Sequence, residues 1–203
     1  MIKYLTLLWV MAAVQFSFAQ DFKKAPFFDD FKDNRYQWHQ FEEKEASGKI
    51  EKGKYLFSHH RKVGSWSLWN TIALDTKKDF VIEAKIQFLG GFDSHGYGLI
   101  WGARDLENKY FFIVTSKGFF TIRKMEGGKL KDIKPWTANV YINQGNKENI
   151  LKISKLGKNM LFYSNNELIY ATDFRPFFGD EIGFTLARNM KIAVDYLKVS
   201  YSE

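Results

Sequence analysis

Apolar and polar positions alternate along most of this chain. The clearest stretch is Phe80-Val-Ile-Glu-Ala-Lys-Ile-Gln-Phe88. There Phe80, Ile82, Ala84, Ile86 and Phe88 fall on one side, and Glu83, Lys85 and Gln87 on the other. A period of two marks a strand with one buried and one wet face. The same signal predicts strands near 36–42, 49–59, 65–74, 96–104, 109–116, 118–125, 149–155, 159–164, 167–173, 181–188 and 191–201. Turn residues punctuate them. Asn165-Asn166 joins Leu161-Phe-Tyr to Leu168-Ile-Tyr, and asparagine tolerates the positive φ of a tight hairpin. Gly127-Gly128 closes a second hairpin before Leu130, and Ser116-Lys117-Gly118 turns a third. No window after the N terminus has a convincing helical period. Many short antiparallel strands with tight turns predict an all-β sandwich or barrel. The 20 phenylalanines and 6 tryptophans provide its core.

The N terminus departs from this pattern. Lys3, the apolar run Leu5–Val14 and the small-x-small end Ser17-Phe-Ala19 read as a secretory signal peptide over residues 1–19, cleaved before Gln20. Residues 20–203 then form a single domain in the size range of a β-sandwich. No stretch approaches the ~18 apolar residues of a membrane span. The absence of cysteine rules out disulfide staples and a lipid-modified cysteine, and fits a bacterial periplasmic or extracellular protein. The formal charge of +7 favours anionic partners. Its lysines are scattered (Lys23, Lys24, Lys77, Lys78, Lys129, Lys131, Lys134, Lys152, Lys155, Lys158) rather than gathered in a stripe, which argues against nucleic acid.

A series of segments carries a likeness. It runs from Phe28-Asp-Asp-Phe-Lys-Asp-Asn-Arg-Tyr-Gln-Trp38 through the glycine-marked hairpin Gly48–Tyr55, Trp66, Trp69 and Asp79-Phe-Val-Ile-Glu83. Tyr97-Gly-Leu-Ile-Trp-Gly102, Asp105, Tyr110-Phe-Phe-Ile, Phe162-Tyr-Ser-Asn-Asn166, Gly183-Phe184 and Val194-Asp-Tyr-Leu-Lys-Val199 complete it. In order and spacing these resemble the concanavalin A-like lectin/glucanase superfamily. More narrowly, they resemble bacterial domains related to laminin-G-like and 3-keto-disaccharide hydrolase-type domains. The resemblance implies a two-sheet antiparallel jelly-roll sandwich. It implies little about activity, because lectins, glycosidases, lyases and adhesion modules share this fold. It also implies a structural calcium, with Asp195 and oxygens near Asp29 and Asp30 as ligands.

Recognisable catalysis is missing. Retaining glucanases of the superfamily resemble one another in a Glu-x-Asp-x-x-Glu strand that aims paired carboxylates into one cleft. Here Glu83 is followed at alternate positions by Lys85 and Gln87. Asp105 and Glu107 sit in an expected turn and read as turn and capping residues. His39, His59, His60 and His95 show no zinc spacing, and Ser65 and Ser67 no nucleophile elbow. The alternate glycines Gly96, Gly98 and Gly102 mark close approach by a ligand, or by neighbouring aromatics such as Tyr110 and Phe112. Trp66 and Trp69, three apart, point to opposite faces, so one of them is free to stack on a sugar. Trp136, after Pro135 in an expected loop, is a second platform, and Arg104 offers a planar fork to hydroxyls or a uronate. The expectation is an exported, non-catalytic binder of a glycan or cell-envelope polymer, acidic ones favoured by the charge. The alternatives are a 3-keto-glycoside hydrolase or lyase, and a structural or protein-interaction module. Oligomeric state is not legible.

Overall fold

The structure, a computed structural model, describes residues 27–201; the signal-peptide reading, Lys23 and Lys24 lie outside them. Among the described residues there are fifteen strands and no helix. In chain order they are β1 (Phe27–Asp29), β2 (Phe41–Glu42), β3 (Ala46–Glu51), β4 (Lys54–His59) and β5 (Ser65–Thr71). Then come β6 (Phe80–Gly91), β7 (Tyr97–Asp105), β8 (Asn108–Val114), β9 (Phe119–Glu126) and β10 (Lys129–Ala138). Last are β11 (Glu148–Leu156), β12 (Asn159–Ser164), β13 (Glu167–Asp173), β14 (Glu181–Ala187) and β15 (Met190–Tyr201). A nine-stranded sheet runs β13-β12-β11-β6-β15-β4-β3-β2, with β1 also on β15; a six-stranded sheet runs β10-β9-β8-β7-β14-β5. All pairings are antiparallel, and the jelly-roll expectation is met.

The alternation places the core. Phe80, Ile82, Ala84 and Ile86 are completely buried and Phe88 nearly so, while Glu83, Lys85 and Gln87 face outward. Across the gap, the six-stranded sheet sends in Tyr97, Leu99, Trp101, Phe112 and Phe184. Aromatic rings join the two sheets: Phe88 stacks on Tyr97 at 6.0 Å, and Phe112 meets Phe162 edge-on at 5.5 Å. Such geometries add to plain area burial. Asp29 closes one end, its carboxylate accepting the Trp38 indole N–H and the Phe31 amide, each at 2.8 Å.

Four expectations need correction. Residues 49–59 are not one strand but the β3–β4 hairpin, because Lys52 and Gly53 both take positive φ. The 36–42 strand shrinks to Phe41–Glu42, since a turn at Asn34–Gln37 carries Trp38 into the core instead. The 65–74 strand stops at Thr71; beyond it the Ile72 amide donates to the Asp180 carbonyl at 2.9 Å, and Ile72 and Leu74 enter the core from outside the strand. Trp136 does not lie in a loop: Pro135 and Trp136 belong to β10, an edge strand that pairs with β9. Its exposed Lys-rich pattern lacks an apolar face and so hides it from periodicity, and an edge tolerates proline's missing N–H. The three sequence-marked turns are as expected, with positive φ at Asn165, Asn166, Gly127, Gly128 and Gly118.

Candidate glycan-binding face

Residues directly opposite one another on neighbouring strands share a face. The register therefore assembles the outward face of the six-stranded sheet. Ser67, Thr185, Gly98 and Ile113 lie in one row across β5, β14, β7 and β8. Trp69, Gly183, Ile100 and Phe111 form the next, and Arg123 of β9 and Asp132 of β10 extend it. Gly96 lets this face lie low: a Cβ there would run into the Ile113 side chain and the Trp136 ring. At Gly98 a Cβ would strike the Phe112 carbonyl. The glycines are thus filled by neighbours, but not by the expected rings of Tyr110 and Phe112, which point inward.

Over this floor lies a groove of about 310 Å³, the size of a small ligand site. Phe111, Ile113, Met125, Leu130 and Trp136 form its apolar wall, and Ser65, Ser94, His95, Arg123 and Thr185 its polar groups. No aspartate or glutamate lines it. A shallower depression of about 230 Å³, lined by Thr115, Lys117 and Phe119, continues past Trp136 and Ser94. Trp136 stands between the two, 40% exposed. It reaches this place because β10 loses register on either side of Lys134; such a bulge re-aims a side chain. The Arg123 guanidinium lies 5.7 Å from the Trp136 ring centre. Arg123 Nε is 2.7 Å from Asp132 Oδ1, yet its N–H is not aimed at that oxygen and lacks a hydrogen-bond partner. At the far end Arg188 Nε donates to His95 Nε2 at 2.9 Å, which keeps the imidazole proton on Nδ1. Beside Phe111, Lys109 is buried, and that burial pushes its ammonium below the usual lysine range while Asp105 pulls it partly back.

No protein-family model matches the sequence, nor does any curated protein. Solved structures do. The carbohydrate recognition domain of Emp47p matches over 89% of this chain and 96% of its own, with TM-score 0.62 and 14% identity. The carbohydrate binding module CBM66 from Bacillus subtilis matches over 78% and 89%, with TM-score 0.50 and 16% identity. The GH43 protein BlXynB from Bacillus licheniformis matches over 90% of this chain with TM-score 0.63 and 11% identity; the chain spans about 40% of BlXynB's length. The fold is the concanavalin A-like jelly roll. Identities of this size establish that shared fold and nothing narrower.

In this jelly roll the expected site residues scatter. Trp66 and Trp69 do take opposite faces. Trp66 turns inward against Phe41 and His59, and Trp69 lies on the outward face with Lys109. Trp69 and Trp136 therefore share a face that Trp66 does not. Arg104 is far exposed at the end of β7, bound to Asp105 at 3.0 Å. Asp105 also accepts from the Glu107 amide and the Asn108 side chain, which makes it a turn cap rather than half of a catalytic pair. Residues that periodicity did not flag, among them Arg123, Lys109 and Arg188, carry the face's charge. Only their final register shows it.

The aspartates named for calcium do not fit that ion. Among the described residues no three acidic or histidine side chains converge as a metal site. Asp29 is turned inward onto Trp38 and Phe31, and Asp30 is paired with Lys32 at 2.6 Å. Asp195 sits where β15 slips register between Val194 and Tyr196. Its oxygens meet Lys85 at 2.8 Å and Lys54 at 3.3 Å. Burial pushes the Asp195 carboxyl up, but the two lysines outweigh it and hold it below the usual carboxylate range. The two ammonium groups already supply the positive charge that a cation would bring.

Proposed function

We propose that this chain is an exported, non-catalytic module that binds a glycan or cell-envelope polymer on the outward face of its six-stranded sheet. One observation carries the reading: a groove walled by Trp136 and Phe111, edged by Ser65, Ser94, His95, Arg123 and Thr185, and free of lining carboxylates. Sugar rings present apolar C–H faces that stack on an indole, while their hydroxyls need donors and acceptors close by. Glycoside cleavage by the usual route needs two carboxyl groups flanking the bond, ~5–9.5 Å apart, and the groove supplies none. The concanavalin A-like fold, shared with a carbohydrate recognition domain and a carbohydrate binding module, supports the reading. Export rests on the pattern Lys3, Leu5–Val14 and Ser17-Phe-Ala19; N-terminal sequencing of the native protein is expected to start near Gln20.

The test is a broad glycan array with wild type and Trp136→Ala, followed by calorimetry on each hit. Wild type is expected to bind with modest affinity, because an open groove buries little ligand. Trp136→Ala is expected to lose binding. One feature favours a second reading, a glycan-active enzyme: the His95–Arg188 pair at the groove's end, with Ser94 Oγ 3.4 Å from His95 Nδ1. Overnight incubation of each hit, read by mass spectrometry, separates the two, since cleavage products overturn the non-catalytic claim. An array without hits supports the protein-interaction module instead.

A further inference from the structure

Two lysines are buried among the described residues, and they are handled differently. Lys155 is paired with Asp79 at 3.1 Å. Lys109, only 4% exposed, forms none of the ion pairs. Its nearest acid, Asp105, is already taken up by Arg104, Asn108 and the Glu107 amide. The Lys109 ammonium lies within reach of two rings on the same face. Nζ is 5.3 Å from the Trp69 ring centre and 5.4 Å from that of Phe111. Phe111 and Met125, the cross-strand partner of Lys109, are both walls of the groove. Lys109 does not itself line the groove, but its ammonium is next to the groove wall that Phe111 forms.

A cation taken out of water loses its hydration. Ring faces return only part of that, and three N–H donors still want acceptors. No carboxylate lines the groove, and Asp105, held by its own partners, attracts the ammonium without forming an ion pair with it. Of the cations on this face, Arg123 meets Asp132 at 2.7 Å, and Arg188 donates to neutral partners, His95 and the Lys62 carbonyl. A ligand lying against Phe111 and Met125 would place its substituents over Nζ.

We propose that the glycan taken by this face carries an anionic substituent, a uronate carboxylate or a sulfate ester, and that Lys109 is its counter-ion. This rests on the glycan-binding reading above and narrows the ligand class. The substituent completes a charge-assisted hydrogen bond in a setting from which water is largely excluded. Trp69 and Phe111 hold the ammonium in place for it. The downward displacement of the Lys109 ammonium by burial agrees with a charge that lacks its partner.

The experiment is calorimetry with matched pairs. One pair is an oligogalacturonate and its carboxyl-reduced counterpart; the other is a sulfated galactan oligosaccharide and its desulfated counterpart. Hits from the array are added with their neutral analogues. Wild type is expected to bind at least one anionic member roughly ten- to a hundredfold more tightly than its neutral twin, the worth of one charged hydrogen bond. Which pair shows it separates carboxylate from sulfate. Lys109→Met keeps the stem and removes the charge; it is expected to bind both twins alike, and Lys109→Arg to keep part of the preference. The wild-type comparison stands even where Lys109→Met fails to fold. Equal binding of the twins, or hits confined to neutral glycans, overturns the Lys109 assignment and leaves glycan binding standing. A preference that survives in Lys109→Met overturns it as well. No binding to any glycan overturns both.

Discussion

The two sheets turn very different faces to water. On the nine-stranded sheet, charges answer one another. Lys54 and Lys85 share Glu148 and Asp195, Lys49 meets Glu51 at 2.7 Å, and the Tyr196 hydroxyl donates to Glu83 at 2.8 Å. On the six-stranded sheet the residues that line the groove are aromatic, aliphatic, hydroxylic and cationic, and its acids Asp132 and Glu181 lie outside that lining. Arg123 meets Asp132 through a misdirected Nε, and Lys109 forms no ion pair among the described residues. A surface that satisfies itself gains little from a ligand. A surface that leaves ring faces and donors without partners gains much. The comparison is the reason for proposing the second face as the binding face, a choice that the scattered lysines of the sequence could not make.

The largest expected effect lies between the faces. Phe88→Ala removes a ring stacked on Tyr97 and is expected to cost about 3–5 kcal/mol in urea melts, transfer loss plus cavity. Glu83→Ala, on the outward side of the same strand, loses only a half-buried hydrogen bond from Tyr196 and is expected to cost about 1 kcal/mol. Equal costs would mean that the two sides of β6 are assigned the wrong way round.

Next comes the contrast in binding. Trp136→Ala is expected to weaken binding of an array hit by at least about 2 kcal/mol, as for a stacking anchor. Lys85→Ala, on the other sheet, is expected to leave the affinity unchanged. Calorimetry that finds the reverse would move the site to the nine-stranded sheet.

A smaller effect tests how self-contained that sheet is. Asp195→Ala leaves Lys54 and Lys85 with Glu148 alone and is expected to cost up to about 1 kcal/mol, less at high salt. EDTA is expected to leave the melting temperature of wild type unchanged, because the aspartates are committed to lysines and to backbone and indole N–H groups. A fall in Tm with chelator, abolished in Asp195→Ala, would restore the calcium reading.

The smallest effect concerns the seam between the sheets. His59, at the end of β4, is buried and its Nδ1 lies 3.2 Å from the Ala187 carbonyl on β14. Burial pushes its pKa below the ordinary 6.5, with the Ala187 carbonyl working against it. The unfolded chain therefore binds the proton more readily than the folded one. The stability contributed by neutral His59 is full above about pH 6.5 and is lost as pH falls through the folded value. Tm is expected to drop between pH 7.5 and 5, and the drop to shrink in His59→Gln. An identical drop in the variant would place the acid sensitivity elsewhere.

What was legible in the sequence was what a strand states locally. The Phe80–Phe88 alternation names its own buried side, Asn165-Asn166 and Gly127-Gly128 name their turns, and the spacing of Trp66 and Trp69 puts them on opposite faces. These follow from a period of two and from the few residues that accept positive φ, neither of which depends on distant neighbours. The list of segments from Phe28 to Val199 also pointed to the concanavalin A-like fold. Tertiary structure decided the rest. The Gly127-Gly128 turn announces a strand after it, but β10 carries no apolar face, so only its pairing with β9 shows that it runs on through Trp136, and only its broken register swings Trp136 over Gly96. Asp195 looked like a calcium ligand until the fold brought Lys54 and Lys85 to it from two other strands. Nothing in the sequence singles out Lys109. Its burial between Trp69 and Phe111 arises because β14 and β7 lie between β5 and β8 in the sheet, an order that no local pattern records. Local sequence sets which way a side chain leaves its own strand; which strands lie alongside, and hence what that side chain meets, is decided only when the whole chain closes on its core.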